Sequence, residues 1–277
     1  MKLREKDLKK FESYLKYEEK SRATCEKYMH DVRYFARYVG NREITKGEAI
    51  SYKEDLKERY APSSVNSMLV SLNCFFKFIE KQDCCVKLIK LQRQIFCSEA
   101  KELSIEEYKR LIRAADDQET ALMLQTICGT GIRVSELEYI SVEAVRKGRA
   151  TVNCKSKTRV IFIPIHVQEV LLPYIKKTGI KSGPVFAGKS GKPLDRSCVW
   201  RKMKNLSEKA AVDAEKVFPH NLRHLFARTF YSMDGDIVRL ADILGHSSIN
   251  TTRIYTMETG RHHIDMLEKV QDVLATQ

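Results

Sequence analysis

Nearly all of this chain repeats its apolar residues at the spacing of a helix, and one short stretch alone repeats them at the spacing of a strand. Leu8, Phe11 and Leu15 fall on one helical face, as do Tyr28, Val32, Phe35, Ala36 and Val39 in the next segment. Gly40-Asn41 supplies a natural stop for that second helix. A shorter helix is expected from about residue 46 to 59. Pro62-Ser63-Ser64 then opens a strongly apolar one running through Leu69, Leu72, Phe75, Phe76 and Ile79. Four helices with short connections make a compact bundle over residues 1–82. Residues 83–100 lose the period and carry Cys84-Cys85, several lysines and Arg93 without glycine or proline, which reads as a basic linker.

A second unit is expected over residues 101–277. Ser104 and Glu107 have the spacing of a capping box ahead of Tyr108, Leu111 and Ile112. Another helix covers about residues 120–128. Ala150-Thr151-Val152 and Val160-Ile161-Phe162-Ile163 read as two strands around the polar turn Cys154-Lys155-Ser156-Lys157-Thr158, a hairpin with lysines at its tip. Helical patterning returns after His166 and runs to the C-terminus, broken at Gly179, Gly183-Pro184 and residues 188–193. The fold class is therefore mainly α with a small antiparallel β-sheet: a four-helix N-terminal domain followed by a mixed α+β domain.

Composition narrows the class of function. With 277 residues, 43% of them hydrophobic and 31% charged, the chain can bury an ordinary core. No basic-then-apolar leader is visible, and no apolar run nears the roughly 18 residues of a membrane span. A cytoplasmic protein with no membrane association is expected. Eight cysteines are scattered without any C-x-x-C pair, so reduced thiols are expected and no metal site. The net charge of +13 is not one tail: 21 basic against 14 acidic residues lie in the first 97, and 28 against 22 in the rest. Such a spread suits a protein that wraps a polyanion, although charge alone does not establish nucleic-acid binding.

Four segments of the second unit gather groups suited to phosphate. In Gly129-Thr130-Gly131-Ile132-Arg133-Val134-Ser135-Glu136-Leu137 the glycines let the chain turn into a helix with Arg133 near its start, where a guanidinium and a helix N-terminus could hold an anion. Taken alone, Arg133 reads equally as a surface arginine paired with Glu136. The hairpin tip offers Lys155 and Lys157, residues that in most turns are merely solvated. In Pro219-His220-Asn221-Leu222-Arg223-His224 the His220 and Arg223 side chains share a helical face behind a proline at the helix start. An imidazole beside a guanidinium can move a proton next to a bound phosphate. The fourth segment, Leu244-Gly245-His246-Ser247-Ser248-Ile249-Asn250-Thr251-Thr252, makes a donor-rich turn and leads to Tyr255. Tyr255 is one of twelve tyrosines and has nothing local to single it out.

Taken together, the G-x-R-x-S-E-L, H-x-L-R-H and L-G-H-S-x-x-x-T-T-x-x-Y strings, with Lys155 between the first two, resemble the catalytic pattern of the tyrosine recombinases, the phage-integrase and Xer-type family. The resemblance covers most of the chain. It implies a SAM-like core-DNA-binding domain at residues 1–82 and a catalytic domain at 101–277. It further implies a site-specific recombinase or integrase, serving a mobile element or chromosome maintenance, that cleaves and rejoins double-stranded DNA through a 3′-phosphotyrosine intermediate and needs no cofactor.

Under the resemblance Tyr255 is the nucleophile, Arg133 and Arg223 grip the non-bridging oxygens, His246 hydrogen-bonds there, and His220 accepts or orients a proton. Lys155 protonates the leaving 5′-oxygen. Glu136 buttresses Arg133 or His220, and His224 is structural. The family commonly has Gly-Lys-Gly where this chain has Cys154-Lys155-Ser156, so Lys157 stays open as the acid. Leu225 and Arg228 also depart from the usual small residues, with packing the expected consequence. The amphipathic stretch Ile264–Leu274 either closes its own core or, as the resemblance implies, docks on a neighbouring protomer in a tetramer on two DNA duplexes. A non-cutting DNA-binding accessory protein and a type IB topoisomerase-like enzyme are the competing readings.

Overall fold

The computed structural model describes residues 4–91, 101–154, 157–188, 190–255 and 260–275, with backbone alone for 153, 154, 157 and 260–266. Contacts divide the chain into two compact units, 1–93 and 94–277.

In the first unit four helices form where the apolar spacing places them: α1 (Glu5–Tyr17), α2 (Arg22–Val39), α3 (Lys46–Arg59) and α4 (Pro62–Phe78). Side chains of Ser21 and Thr45 accept the first free backbone N–H groups of α2 and α3, and Pro62 opens α4 with its ring preset for a helix. Gly40 ends α2 at φ +58°, a conformation costly for any residue with a Cβ. Phe11, Phe35, Phe75 and Phe76 fill the core, with Phe11 edge-on to Phe75 at 5.1 Å and Phe35 edge-on to Phe76 at 5.5 Å. Buried Asp31 is neutralised by Lys27 at 2.6 Å and accepts from Ser71 Oγ at 2.7 Å, tying α2 to α4.

This unit extends beyond residue 82. Cys84 and Val86 are buried in its core, after a single 3-10 turn at Gln82–Cys84. Two asparagines of α4 then each hold one residue of the chain by both its N–H and its carbonyl. Asn73 accepts from the Val86 N–H and donates to the Val86 carbonyl, at 2.9 and 2.8 Å. Asn66 does the same at Ile89, at 2.7 and 2.9 Å. The expected linker over 83–100 therefore begins later: its first part is packed, and residues 92–100 lie outside the described residues.

The second unit opens with α5 (Ile105–Arg113), capped as its sequence predicts: Glu107 N–H donates to Ser104 Oγ and Ser104 N–H to the Glu107 carboxylate. Helix α6 (Gln118–Thr130) is buried on most sides, with Met123, Leu124 and Ile127 fully enclosed. It is followed by a 3-10 helix (Val134–Tyr139), α7 (Val142–Lys147) and the antiparallel strands β1 (Arg149–Cys154) and β2 (Lys157–Phe162). Helices α8 (Ile165–Thr178), α9 (Arg196–Lys209), α10 (Pro219–Asp234), α11 (Ile237–Leu244), α12 (Ile249–Thr252) and α13 (Gly260–Leu274) complete it.

The strands run further than their apolar alternation suggests. Cys154 pairs with Lys157, so both strands run into the stretch expected as a five-residue turn, and Lys155 and Ser156 lie outside the described residues. Ala150, Val152, Ile161 and Ile163 face the core, while Val160 and Phe162 are exposed. That phase also turns Arg159 inward, with 16% of its side chain exposed.

The asparagine clamps generate a stability prediction. Asn73→Ala removes both Val86 bonds and should cost about 1–2 kcal/mol in urea-unfolding free energy. Limited proteolysis should then cut near residue 86 in this variant before the native protein is cut there.

Candidate active site

The glycine at the end of α6 sets the geometry. Gly131 sits at φ +63°, and a Cβ there would lie 2.3 Å from the Phe226 ring of α10, so this position admits no side chain. Gly129, expected to share the turn, still belongs to α6. The chain leaves Gly131 with Arg133 extended, and the turn that follows is 3-10 rather than α-helical. Close packing of α6 on α10 brings the Gly131 carbonyl to Arg223, whose Nη1 donates to it at 2.5 Å.

Arg223 is 1% exposed, the largest fully buried side chain among the described residues. Its Nη2 donates to the Leu244 carbonyl at 2.8 Å and lies 2.9 Å from His246 Nε2. Arginine can only donate, so Nε2 is the acceptor and the ring proton sits on Nδ1, which faces buried Thr252 Oγ1 at 2.8 Å. His246 is thereby fixed in one orientation. Arg133 pairs with Glu136 Oε1 through Nη1 at 3.0 Å and reaches the Gly245 carbonyl through Nη2 at 3.4 Å. Glu136, 2% exposed, also accepts from the Arg133 backbone N–H at 2.8 Å and from Arg159 Nη2 at 2.5 Å.

Tyr255 closes this group from a 3-10 turn (Arg253–Tyr255) and is 4% exposed. Its ring stacks on His246 with centroids 5.7 Å apart and meets His224 edge-on at 4.6 Å. His224 in turn meets His220 edge-on at 4.5 Å. Leu225 is buried, and Arg228 ties α10 to Glu102 and to the Leu103 carbonyl, a packing role. Beside the group opens a cleft of about 390 Å³ lined by Arg133, His220, Arg223, Arg196 and Trp200 with neighbouring apolar residues.

Electrostatically the cleft is prepared for an anion. Burial, then Arg133, pulls the Arg223 guanidinium down to about 10, opposed by Tyr255 and Glu136. Burial followed by Arg223 and Arg133 lowers His246 to about 4, and burial with His220 lowers His224 to about 4. His220 is lowered by burial, Arg223 and Arg133. All three imidazoles are therefore neutral near pH 7. Burial works to raise Glu136, but the Arg133 N–H and the Arg159 and Arg133 guanidiniums outweigh it and hold the carboxyl below its ordinary value. Three guanidiniums against one carboxylate leave an excess of positive charge that a phosphodiester would offset in part.

Comparison with known proteins gives the family of the chain. The family model described as "Phage integrase family" matches residues 101–262, and that described as "Phage integrase, N-terminal SAM-like domain" matches residues 8–84. The chain belongs to the phage integrase family. This integrase-family chain is 30% identical to the tyrosine recombinase XerA of Pyrococcus furiosus, over 96% of its own length and 94% of that protein's. The crystal structure of a XerA recombinase is similar over 98% of this chain and 99% of that one, with 26% identity and a TM-score of 0.52. A lambda integrase tetramer bound to a Holliday junction shares the fold at 19% identity, covering 90% of this chain and 76% of that one, with a TM-score of 0.75. The protein is a site-specific recombinase of the tyrosine type, an enzyme that acts on DNA.

Of the residues that the sequence nominates in this recombinase, Arg133, Glu136, His220, Arg223, His224, His246 and Tyr255 lie together. Lys155 lies outside the described residues, as does the Lys157 side chain. Glu136 joins Arg133, not His220, among the described hydrogen bonds. Arg159, Thr252, Arg196 and Trp200 also belong to the group or line its cleft, and only Thr252 among them falls within one of the sequence motifs. Arg159 carried a usable signal, since it lies in phase with the buried Ile161 and Ile163.

A pH dependence follows for the recombinase. His224 and His246 have folded values near 4 against an ordinary 6.5, so the unfolded chain binds more protons between those limits. Their contribution to stability is complete above about pH 6.5 and is lost as pH falls toward 4. The urea midpoint should drop between pH 7 and pH 5, and His224→Phe, which keeps an aromatic edge against Tyr255, should flatten that drop.

Proposed function

We propose that Tyr255 is the nucleophile of this recombinase and that the catalytic domain is residues 101–277, with the helical unit before it gripping the core DNA site. The Tyr255 oxygen attacks the scissile phosphorus, its proton passing to His220, while the bond to the 5′-oxygen breaks. The products are a 3′-phosphotyrosine link and a free 5′-hydroxyl. Covalent capture divides one displacement into two and keeps the bond energy for rejoining. Arg133 and Arg223 hold the non-bridging oxygens as charge builds, and His246 hydrogen-bonds beside them once the phosphate has raised its proton affinity and Nε2 carries a proton. Lys155, with Lys157 as the alternative, protonates the leaving 5′-oxygen. Glu136 buttresses Arg133, and His224 positions the Tyr255 ring. No cofactor enters this scheme, because the charge is met by fixed guanidiniums.

The observation that carries this reading is the placement of Tyr255 against His246 at a 15° stacking angle, beside the buried Arg223. Tyr255 brings a nucleophilic phenol into the cluster, and the groups around it are those that stabilise a pentacoordinate phosphate.

Assembly on two duplexes is supported by α13. Leu267, Val270, Val273 and Leu274 are 49–84% exposed, so the described part of the helix does not close its own core. We read it as the helix that docks on a neighbouring protomer in a cyclic tetramer. The lambda integrase tetramer on a Holliday junction, which shares the fold, supports the same reading. Among the described residues no helix is long and apolar enough to cross a membrane, and we place the enzyme with its DNA in the cytoplasm.

A duplex nicked just beyond the scissile phosphate, so that the released fragment diffuses away, tests the nucleophile. The native protein should accumulate a covalent protein–DNA adduct, and Tyr255→Phe should form none. An undiminished adduct in that variant refutes the assignment. Adduct without exchange between two sites would favour a topoisomerase-like enzyme, and no adduct from the native protein an accessory role. Leu267→Asp with Val270→Asp should leave cleavage intact yet abolish synapsis of two sites, read by native gel.

A further inference from the structure

We propose that Arg159 is a positioning residue for the recombination chemistry: it fixes the C-terminal end of α11 and Glu136 to one another, so that Arg133, Arg223 and His246 converge on a single phosphate. This role rests on the functional reading above.

Three successive carbonyls at the end of α11 each receive one guanidinium. Arg159 Nη1 donates to the Ile243 carbonyl at 2.8 Å, Arg223 Nη2 to Leu244 at 2.8 Å, and Arg133 Nη2 to Gly245 at 3.4 Å. A helix C-terminus leaves its last carbonyls without intrahelical partners and carries partial negative charge, so it is a natural seat for cations. The three arginines are not equivalent. Arg133 and Arg223 line the cleft, whereas Arg159 does not. When a phosphate enters, the two cleft arginines turn donors toward it and loosen their hold on Leu244 and Gly245. Arg159 keeps its hold on Ile243, so the turn that carries His246 stays in place.

Space for Arg159 is built in. At Gly245 an added Cβ would lie 2.4 Å from Arg159 Cδ, 2.9 Å from Nη1 and 3.0 Å from Nε. The glycine that begins the His246 turn thus serves two ends: its φ of +65° makes the turn, and its missing side chain admits the arginine. On the other side, Arg159 Nη2 takes the same Glu136 oxygen that receives the Arg133 backbone N–H. Arg159 therefore spans from the carboxylate that orients Arg133 to the turn that orients His246. Stability alone is a poor account of it. Its Nε is buried without a hydrogen-bond partner, and buried ion pairs gain little over an apolar replacement.

The test uses the full chain with Arg159→Gln, which removes the charge, and Arg159→Lys, which keeps it. Both should bind the DNA site with near-native affinity. On the nicked duplex, cleavage by Arg159→Gln should fall about 100-fold, the scale of a misplaced catalytic group, with partial recovery in Arg159→Lys. The same loss should appear when the leaving oxygen is replaced by sulfur, which needs no proton. Full recovery on that substrate would overturn the proposal, because it would assign Arg159 to the proton donor of the hairpin. Arg159→Gln combined with Glu136→Gln should lose no more than the worse single variant, and multiplied losses would likewise overturn it. Hydrogen exchange probes the turn independently of activity. In Arg159→Gln the amides of residues 243–248 should lose protection while those of α1–α4 keep it, and unchanged protection at the turn would refute the assignment. If the native protein forms no adduct, the functional reading fails on its own, and exchange still decides whether Arg159 holds the turn.

Discussion

The last turn of α11 is where the catalytic unit is held together. Its three terminal carbonyls are the acceptors around which Arg159, Arg223 and Arg133 are arranged, each arriving from a different element: β2, α10 and the 3-10 turn after α6. None of these elements is adjacent in sequence to the others. What they share is a demand for cations by a helix end that faces inward, where water cannot satisfy it. Two glycines make the convergence possible, since Gly131 lets α6 and α10 touch and Gly245 lets Arg159 in.

Charge explains why the group is poised. Placing three guanidiniums around one carboxylate costs desolvation, and the cost shows in the lowered Arg223 and in the neutral imidazoles beside it. A phosphodiester entering the cleft offsets part of that excess of positive charge. It stabilises the arginines, and it raises the proton affinity of the histidines that flank it. The resting site is thus electrostatically unfinished, and under the proposed function the missing charge is that of the DNA backbone. The orientation of His246 is settled beforehand by Thr252, so that part of the ordering is complete before DNA arrives.

The helical scaffold is legible in the sequence because its signals are local. Gly40, Thr45, Pro62 and the Ser104–Glu107 box mark their boundaries by the chemistry of one helix end, and the structure places helix ends there. What stays hidden depends on partners distant in sequence. Asn66 and Asn73 look like surface residues of α4 until residues 86 and 89 lie along them, which is why the stretch after residue 82 resembles a linker. Arg159 looks like part of a polar hairpin tip when alternation is traced only through apolar side chains. Once the strands extend to Cys154 and Lys157, the same alternation turns Arg159 inward. The motif residues are found through their resemblance to a family, not through local physics: nothing around Tyr255 in the sequence shows that His224 and His246 will flank it.

One feature of the cleft gives the protein an optical property. Trp200, the sole tryptophan of the chain, is half exposed on the cleft wall with Lys204 5.3 Å from its ring centre. Indole emission is sensitive to nearby charge and to water, and here it arises from a single position beside Arg133 and Arg223. The molecule therefore carries its own fluorophore at the mouth of the site. Occupancy of the cleft can be followed in the unlabelled protein, free of background from any other indole.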